Sequence, residues 1–152
     1  LRNLASNPNT NILMVGDLSQ ERGNYVKSLY PNIEFNINPL EVIKDERIDA
    51  VVIATPVNTH FNLTMDCLKA GKHVLVEKPM AMSVNEIDQI EYLSKKNNLV
   101  AMVGHTFLFN SAVRYIKNII DDGVIGDIRY IYSQRTNLGR IRNDEGVVIL
   151  RG

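Results

Sequence analysis

Short apolar runs, each closed by turn residues and separated by helix-length amphipathic stretches, recur through this chain. Asn11-Ile12-Leu13-Met14-Val15-Gly16-Asp17, the weaker Ile33 to Ile37, Asp49-Ala50-Val51-Val52-Ile53-Ala54, Val74-Leu75-Val76-Glu77-Lys78-Pro79 and Leu99-Val100-Ala101-Met102-Val103-Gly104 are the five. Runs this short and this continuous read as strands of a buried parallel sheet rather than as half-wet antiparallel ones. The stretches between them carry helix start and stop signals. Ser19 can cap a helix with Tyr25, Val26 and Leu29 inward, closed by Pro31-Asn32. Asn38-Pro39 is a cap followed by proline at the first helical position. From Asn58 or Thr59 a helix places Leu63, Cys67 and Ala70 on one face and stops at Gly71. Ser83-Val84-Asn85-Glu86 matches a capping box, with Val84, Ile87, Ile90 and Leu93 as its apolar side. A last helix carries Val113, Ile116 and Ile120 inward. Strand and helix in alternation at this spacing make parallel β-α-β units.

After Gly126 the pattern changes, because Ile128, Tyr130 and Tyr132 alternate with polar neighbours as in a strand with one wet face. A second domain is therefore expected from 127 to 152, after a first from 1 to 126. The chain opens on Leu1, its first residues read as the tail of a helix, and it stops without a closing element, so a fragment is expected.

Composition narrows the partners. Seventeen basic residues balance seventeen acidic ones, which disfavours nucleic acid or a membrane surface. The apolar fraction is 45% and no run reaches membrane-spanning length. Cys67 has no second cysteine to pair with, which suits a cytoplasmic setting. No Cys-His or carboxylate-His spacing suggests a metal.

Polar residues stand where the apolar runs end: Asp17, Thr55-Pro56, Glu77-Lys78 and His105. In a right-handed parallel sheet these ends share one edge, so the four are expected to converge on one cleft, the place where open α/β folds bind ligands. Proline after Lys78 ends the strand and holds the lysine extended, where its amine can pass a proton to or from a reacting oxygen. A surface Glu-Lys pair is the plainer account of the same residues. An acidic strand end such as Asp17 accepts hydrogen bonds from the ribose hydroxyls of NAD and follows a glycine fingerprint by roughly 20 residues. No G-x-G-x-x-G occurs in the chain. Either the fold is not a dinucleotide fold or its first strand and phosphate loop were cut away. The second is the expectation, an α/β, doubly wound parallel, Rossmann-like sheet lacking its first strand, that strand belonging between the second and fourth. Asp17 could equally serve as a turn or helix-capping aspartate.

The spaced set Asp49 to Pro56 (DAVVIATP), Asn58-Thr59-His60, Ala70 to Val74 (AGKHV), Glu77-Lys78-Pro79 and Val103-Gly104-His105 resembles the N-terminal domain of the glucose-fructose oxidoreductase / inositol dehydrogenase (Gfo/Idh/MocA) family. Arg135 to Gly139 also resembles members, where the α+β substrate domain starts. The resemblance implies an NAD(P)-dependent oxidoreductase that moves hydride between nicotinamide and an alcohol carbon of a sugar, nucleotide sugar or cyclitol. By position it implies Lys78 and His105 as catalytic residues. It implies cofactor contacts from Asp17, Ala54, Thr55, Pro56, Asn58, His60, Glu77, Lys78 and His105. A cis bond at Lys78-Pro79 is also expected from relatives. The cofactor is expected to be NAD, with NADP possible: a carboxylate repels a 2′-phosphate, while Arg22 one turn on moderates that preference. The partners implied are a small sugar or polyol and, for the whole protein, further copies of itself. Departures from the family pattern are the missing glycine fingerprint and Phe107-Leu108-Phe109 where many members have Arg-Phe. A non-catalytic NAD-binding sensor and an NAD-dependent glycosidase are the alternatives. His60 and His105 each have a plainer role open, as a helix cap and as a satisfied loop residue, and His73 is expected to start a strand away from the cleft. Arg140, Arg142 and Arg151 could meet phosphates or lie in a solvated loop.

Overall fold

The computed structural model describes residues 1–134 and 136, so Arg135, Arg140, Arg142 and Arg151 lie outside the described residues. The chain divides into two compact units, Leu1–Val103 and Gly104–Gly152.

The first unit opens with a short helix, α1 (Arg2–Ala5), followed by β1 (Met14–Gly16), α2 (Gln20–Leu29), β2 (Glu34–Asn36), α3 (Pro39–Lys44) and β3 (Ala50–Ile53). A single 3-10 turn, Val57–Thr59, leads into α4 (His60–Lys69), and β4 (His73–Val76), α5 (Val84–Lys96) and β5 (Ala101–Val103) complete it. All pairing is parallel. The strands form two sheets rather than one: β1 pairs with β2, and β3, β4 and β5 pair in that order. The break falls between β1 and β3, where the missing strand was expected.

Local chemistry sets the helix starts. The Ser19 hydroxyl accepts from the Arg22 amide, the Asn38 side chain accepts from Leu40 with Pro39 at the first helical position, and Ser83 with Glu86 forms the full reciprocal capping box. After α4, Gly71 takes φ +76°, the left-handed conformation that ends a helix cheaply only at glycine.

The core lies on one face of the three-stranded sheet. Ile53, Val74 and Val76 point into it and meet Cys67 and Leu68 of α4, Ile90 of α5, Ile43 of α3 and Met80. Burial pushes the Cys67 thiol up to about 11, which marks it as a core group rather than a nucleophile. The opposite face is different. Val52, Leu75 and Met102 are in register across β3, β4 and β5. Val52 is 48% exposed and Met102 44%. β3 is thus buried on one face only, where its unbroken apolar sequence predicts two covered faces.

Helix faces also depart from expectation. Tyr25 and Leu29 of α2 are exposed, and the helix instead meets β2 through Gly23. A Cβ at Gly23 would lie 2.3 Å from the Phe35 ring, so only glycine lets the helix come this close. On α4 the buried set is His60, Thr64, Cys67 and Leu68, while Ala70 is exposed. On α5, Ile90 is buried but Val84 is open to solvent.

Arg47 joins the parts of this unit electrostatically. Its guanidinium holds both oxygens of Glu34 at 2.9 Å, at the start of β2, and meets Asp45 at 2.6 Å after α3. Hydrogen bonds from the Arg47 side chain, and then its backbone amide, hold the Asp45 carboxyl down to about 2, and the same side chain lowers Glu34. A carboxylate lowered on folding stabilises the protein above its unfolded value of about 3.9, and that contribution is lost as pH falls through the folded value. Melting temperature should therefore drop between about pH 4 and pH 2 in the natural sequence. The drop should be shallower in Arg47→Gln, a comparison that calorimetry at stepped pH can make.

In the second unit a 3-10 turn, Thr106–Phe109, leads into α6 (Ser111–Asp121), whose first amides are capped by the Asn110 side chain. Val113 and Ile116, expected to face inward, are exposed. Residues 127–134 form no strand, although Ile128, Tyr130 and Tyr132 alternate as one would. Alternation supplies one face, but a ladder also needs a partner, and none is present among the described residues.

Candidate functional site

Each singled-out residue of the first unit follows a strand at its carboxyl end. Ile53 and Val76 are in register, so Ala54 after β3 and Glu77 after β4 leave the sheet side by side, and the Glu77 amide donates to the Ile53 carbonyl at 2.9 Å. The two exit loops are mostly open to solvent. Ala54, Pro56, Asn58, Glu77, Lys78 and Pro79 are exposed, Thr55 and Thr59 are half-buried, and His60 and Met80 are buried beneath them. The Lys78–Pro79 peptide bond is cis, as expected. A charged pair on top of a strand whose previous residue is completely buried is held at a fixed height above the core.

The β3 exit loop closes on itself. The Thr55 and Thr59 hydroxyls are 2.6 Å apart, and both the amide and the hydroxyl of Thr59 donate to the Pro56 carbonyl, at 2.9 and 2.7 Å. Thr59 was read in sequence only as a possible helix start. A threonine four residues after another in a proline-containing loop is the signal that could have marked it.

His60 joins this loop to the next one. Its Nε2 lies 2.8 Å from the Thr55 carbonyl oxygen and its Nδ1 2.7 Å from that of Pro79. With 2% of its surface exposed, both ring nitrogens are taken up inside the protein.

Asp17 stands at the end of β1, in the other sheet. Its Oδ1 accepts from the Ser19 amide at 2.8 Å, and its Oδ2 lies 3.6 Å from an Arg22 nitrogen. One oxygen therefore serves the turn that starts α2, while the other, in a side chain 32% exposed, faces outward beside a 78% exposed arginine. His105 follows β5 by two residues, is exposed, and belongs to the second unit, where its carbonyl accepts from Leu108. Of the four strand ends expected to converge, those after β3 and β4 are joined directly by hydrogen bonds.

A cavity of about 430 Å³ lies at the opposite end of β3 and β4, lined among others by Ile48, Asp49, Lys72 and His73. Its lysine is already engaged: the Lys72 ammonium donates to the carbonyls of Asp45 and Ile48, at 2.8 and 2.7 Å, and is 5% exposed. His73 Nδ1 accepts from the Val100 amide at 3.0 Å, which ties β5 to β4. Lys72 and His73 of the AGKHV stretch thus hold the sheet's amino end, in keeping with the strand-starting place expected of His73. A buried lysine whose partners are main-chain carbonyls has no mark in a sequence.

These residues suit part of a dinucleotide. A carboxylate with one outward oxygen at a strand end suits ribose hydroxyls, and an exposed loop with an ammonium beyond it suits the nicotinamide end. A glycine-rich pyrophosphate cradle is not among the 152 residues.

Residues 1–105 match the model of an oxidoreductase family with an NAD-binding Rossmann fold. Among curated relatives, scyllo-inositol 2-dehydrogenase (NAD(+)) of Bacillus subtilis is 32% identical over 81% of this chain and 36% of its own length. Myo-inositol 2-dehydrogenase of Thermotoga maritima is 33% identical over 59% of this chain and 27% of its own. The crystal structure of myo-inositol 2-dehydrogenase from Lactobacillus plantarum superposes with a TM-score of 0.77 at 27% identity, covering 84% of this chain and 38% of that one. The chain thus spans roughly a quarter to a third of the length of these relatives. With the family model covering most of its length and both sheets parallel as that fold requires, the chain belongs to the Gfo/Idh/MocA oxidoreductases.

Proposed function

We propose that this chain is the cofactor-binding part of an NAD-dependent dehydrogenase that oxidises an alcohol carbon of a sugar, nucleotide sugar or cyclitol. The observation that carries it is the exposed Glu77-Lys78-Pro79 tip standing level with the open β3 exit loop, within a chain of this family. Bound nicotinamide would supply the hydride acceptor. Lys78 would hold its side-chain nitrogen against the reacting hydroxyl and, as the neutral amine, take the hydroxyl proton as the carbonyl forms and pass it on to solvent. Glu77 and the Ala54-Thr55-Pro56 and Asn58 loop would line the cofactor. Asp17 would accept from the adenosine ribose through Oδ2, the oxygen that the Ser19 amide does not use and that lies beside Arg22. Residues from 127 onward would begin the substrate domain.

The direct test uses the natural full-length protein, NAD, and a panel including myo-inositol and scyllo-inositol, read as NADH absorbance. NADH formation with a polyol is expected. NADH binding without turnover on any sugar or polyol would instead favour a sensor.

Cofactor choice has its own test. Asp17→Ala removes the ribose acceptor and frees Arg22 from its 3.6 Å contact. Losing a hydrogen bond to a charged group costs about 1.5–3 kcal/mol, so NADH should bind about tenfold or more weakly. NADPH should bind as well or better, since the released arginine can meet a 2′-phosphate. Fluorescence titration with both cofactors measures the ratio.

A further inference from the structure

His60 is a buried polar group to which the proposed chemistry gives no step. It is the first residue of α4, and its ring lies between two carbonyl oxygens, Thr55 at 2.8 Å and Pro79 at 2.7 Å. Carbonyl oxygens only accept. A neutral imidazole donates from one nitrogen, and the tautomer decides whether the Thr55 or the Pro79 carbonyl receives that hydrogen.

The two carbonyls belong to different loops. Thr55 lies in the loop after β3, and Pro79 is the residue next to Lys78 in the loop after β4. Among the described residues, Pro79 provides the only hydrogen-bonded backbone group between Lys78 and Ala81. Before that stretch the Glu77 amide is held by Ile53, and after it the Met82 amide is held by Glu86. Lys78 is thus held between two anchors, the Glu77 amide on Ile53 before it and the Pro79 carbonyl against His60 after it.

We propose that His60 is a positioning residue for Lys78, clamping the β3 and β4 exit loops together through their main chains and so setting where the amine stands above the cofactor-lining loop. This rests on Lys78 being the group that handles the proton. The clamp itself acts on carbonyls that any side chain at positions 55 and 79 would present, so its strength depends on position 60 alone. Without it, the two carbonyls lose the ring that joins them and the Lys78 loop is tethered only at its ends. Misplacing a reacting group by about 1 Å can cost on the order of 10²-fold in rate.

The experiment is a double-mutant cycle in the full-length enzyme, with NAD and a polyol it oxidises, on the natural sequence, His60→Leu, Lys78→Met and the pair. His60→Leu should lower kcat by about tenfold or more while leaving the Kd for NADH within about threefold. In the Lys78→Met background the same change should alter kcat by less than about twofold, because a clamp has nothing left to position. His60→Gln, which keeps one donor group, should recover part of the loss. Hydrogen exchange should show faster exchange at the Glu77 and Met82 amides, the bonded amides that bracket the loop, in His60→Leu, with Cys67 and Leu68 amides unchanged. If His60→Leu does not fold, His60→Gln is read in its place by the same criteria. Equal losses in both backgrounds, or unaltered exchange at Glu77 and Met82, would overturn the clamp. If Lys78→Met alone leaves kcat intact, the proton-handling role fails and positioning of Lys78 fails with it, while coupled loosening of the loop would still distinguish that result from an inert His60.

Discussion

Replacing Lys78 by Met should lower kcat by about 10²-fold or more, with NADH affinity changed only a few-fold. Methionine keeps the length and apolar stem of lysine and removes the ammonium. The residue is exposed, sits two positions beyond the buried strand β4, and forms no hydrogen bond or ion pair among the described residues, so folding should be spared. On the proposed role of Lys78, what is lost is proton transfer at the reacting oxygen, an interaction needed most in the transition state. The signature is a fall in kcat and kcat/KM together rather than a rise in KM. Stopped-flow measurement with a polyol deuterated at the reacting carbon sharpens it, since a slower chemical step should show a larger isotope effect. Unchanged turnover would show that Glu77-Lys78 is only a solvated strand end.

Leu68→Ala should be the costliest substitution for stability. Leu68 is completely buried on α4, in the cluster with Ile53, Val74, Val76 and Ile90. Truncating such a leucine removes contacts and leaves a cavity, for about 2–5 kcal/mol. That is a large share of the 5–15 kcal/mol typical of a domain. The packing explains why little relief is expected: α4 is pressed between the sheet and α5, and Asn97 also donates to the Leu68 carbonyl at 3.0 Å, which keeps that turn of helix in place. Val84→Ala on α5 is the control, since Val84 is 77% exposed and its truncation should cost about 0.5 kcal/mol or less. Urea melts followed by far-UV circular dichroism compare the two. A Leu68→Ala midpoint no lower than that of Val84→Ala would mean the core closes around the smaller side chain.

Features carried by neighbours in the chain were legible in the sequence. The capping box at Ser83, the Asn38-Pro39 start, the Gly71 stop and the placing of Glu77-Lys78-Pro79 after a strand all depend on residues within a few positions of each other, and all appear in the fold. What depends on distant partners was not legible. Tyr25, Leu29, Val113 and Ile116 have the right period to face inward, but period does not say whether anything lies opposite. The alternation from Ile128 to Tyr132 fails as a strand for the same reason. The site divides similarly. Asp17 and Lys78 could be singled out because side-chain type and strand-end position suffice. The partners of His60 and Lys72 are backbone oxygens, which every residue has, so only the fold could reveal them.

Val52, Leu75 and Met102 form an oily stripe across three strands, running over the side of the sheet that α4 and α5 leave bare. Water gains by shedding contact with such a surface, and two copies of the chain can oblige it by adhering to each other. Solubility of the chain by itself would then be limited by this stripe while its helices are still fully formed, and turbidity on concentration would report clinging native molecules rather than unfolded ones.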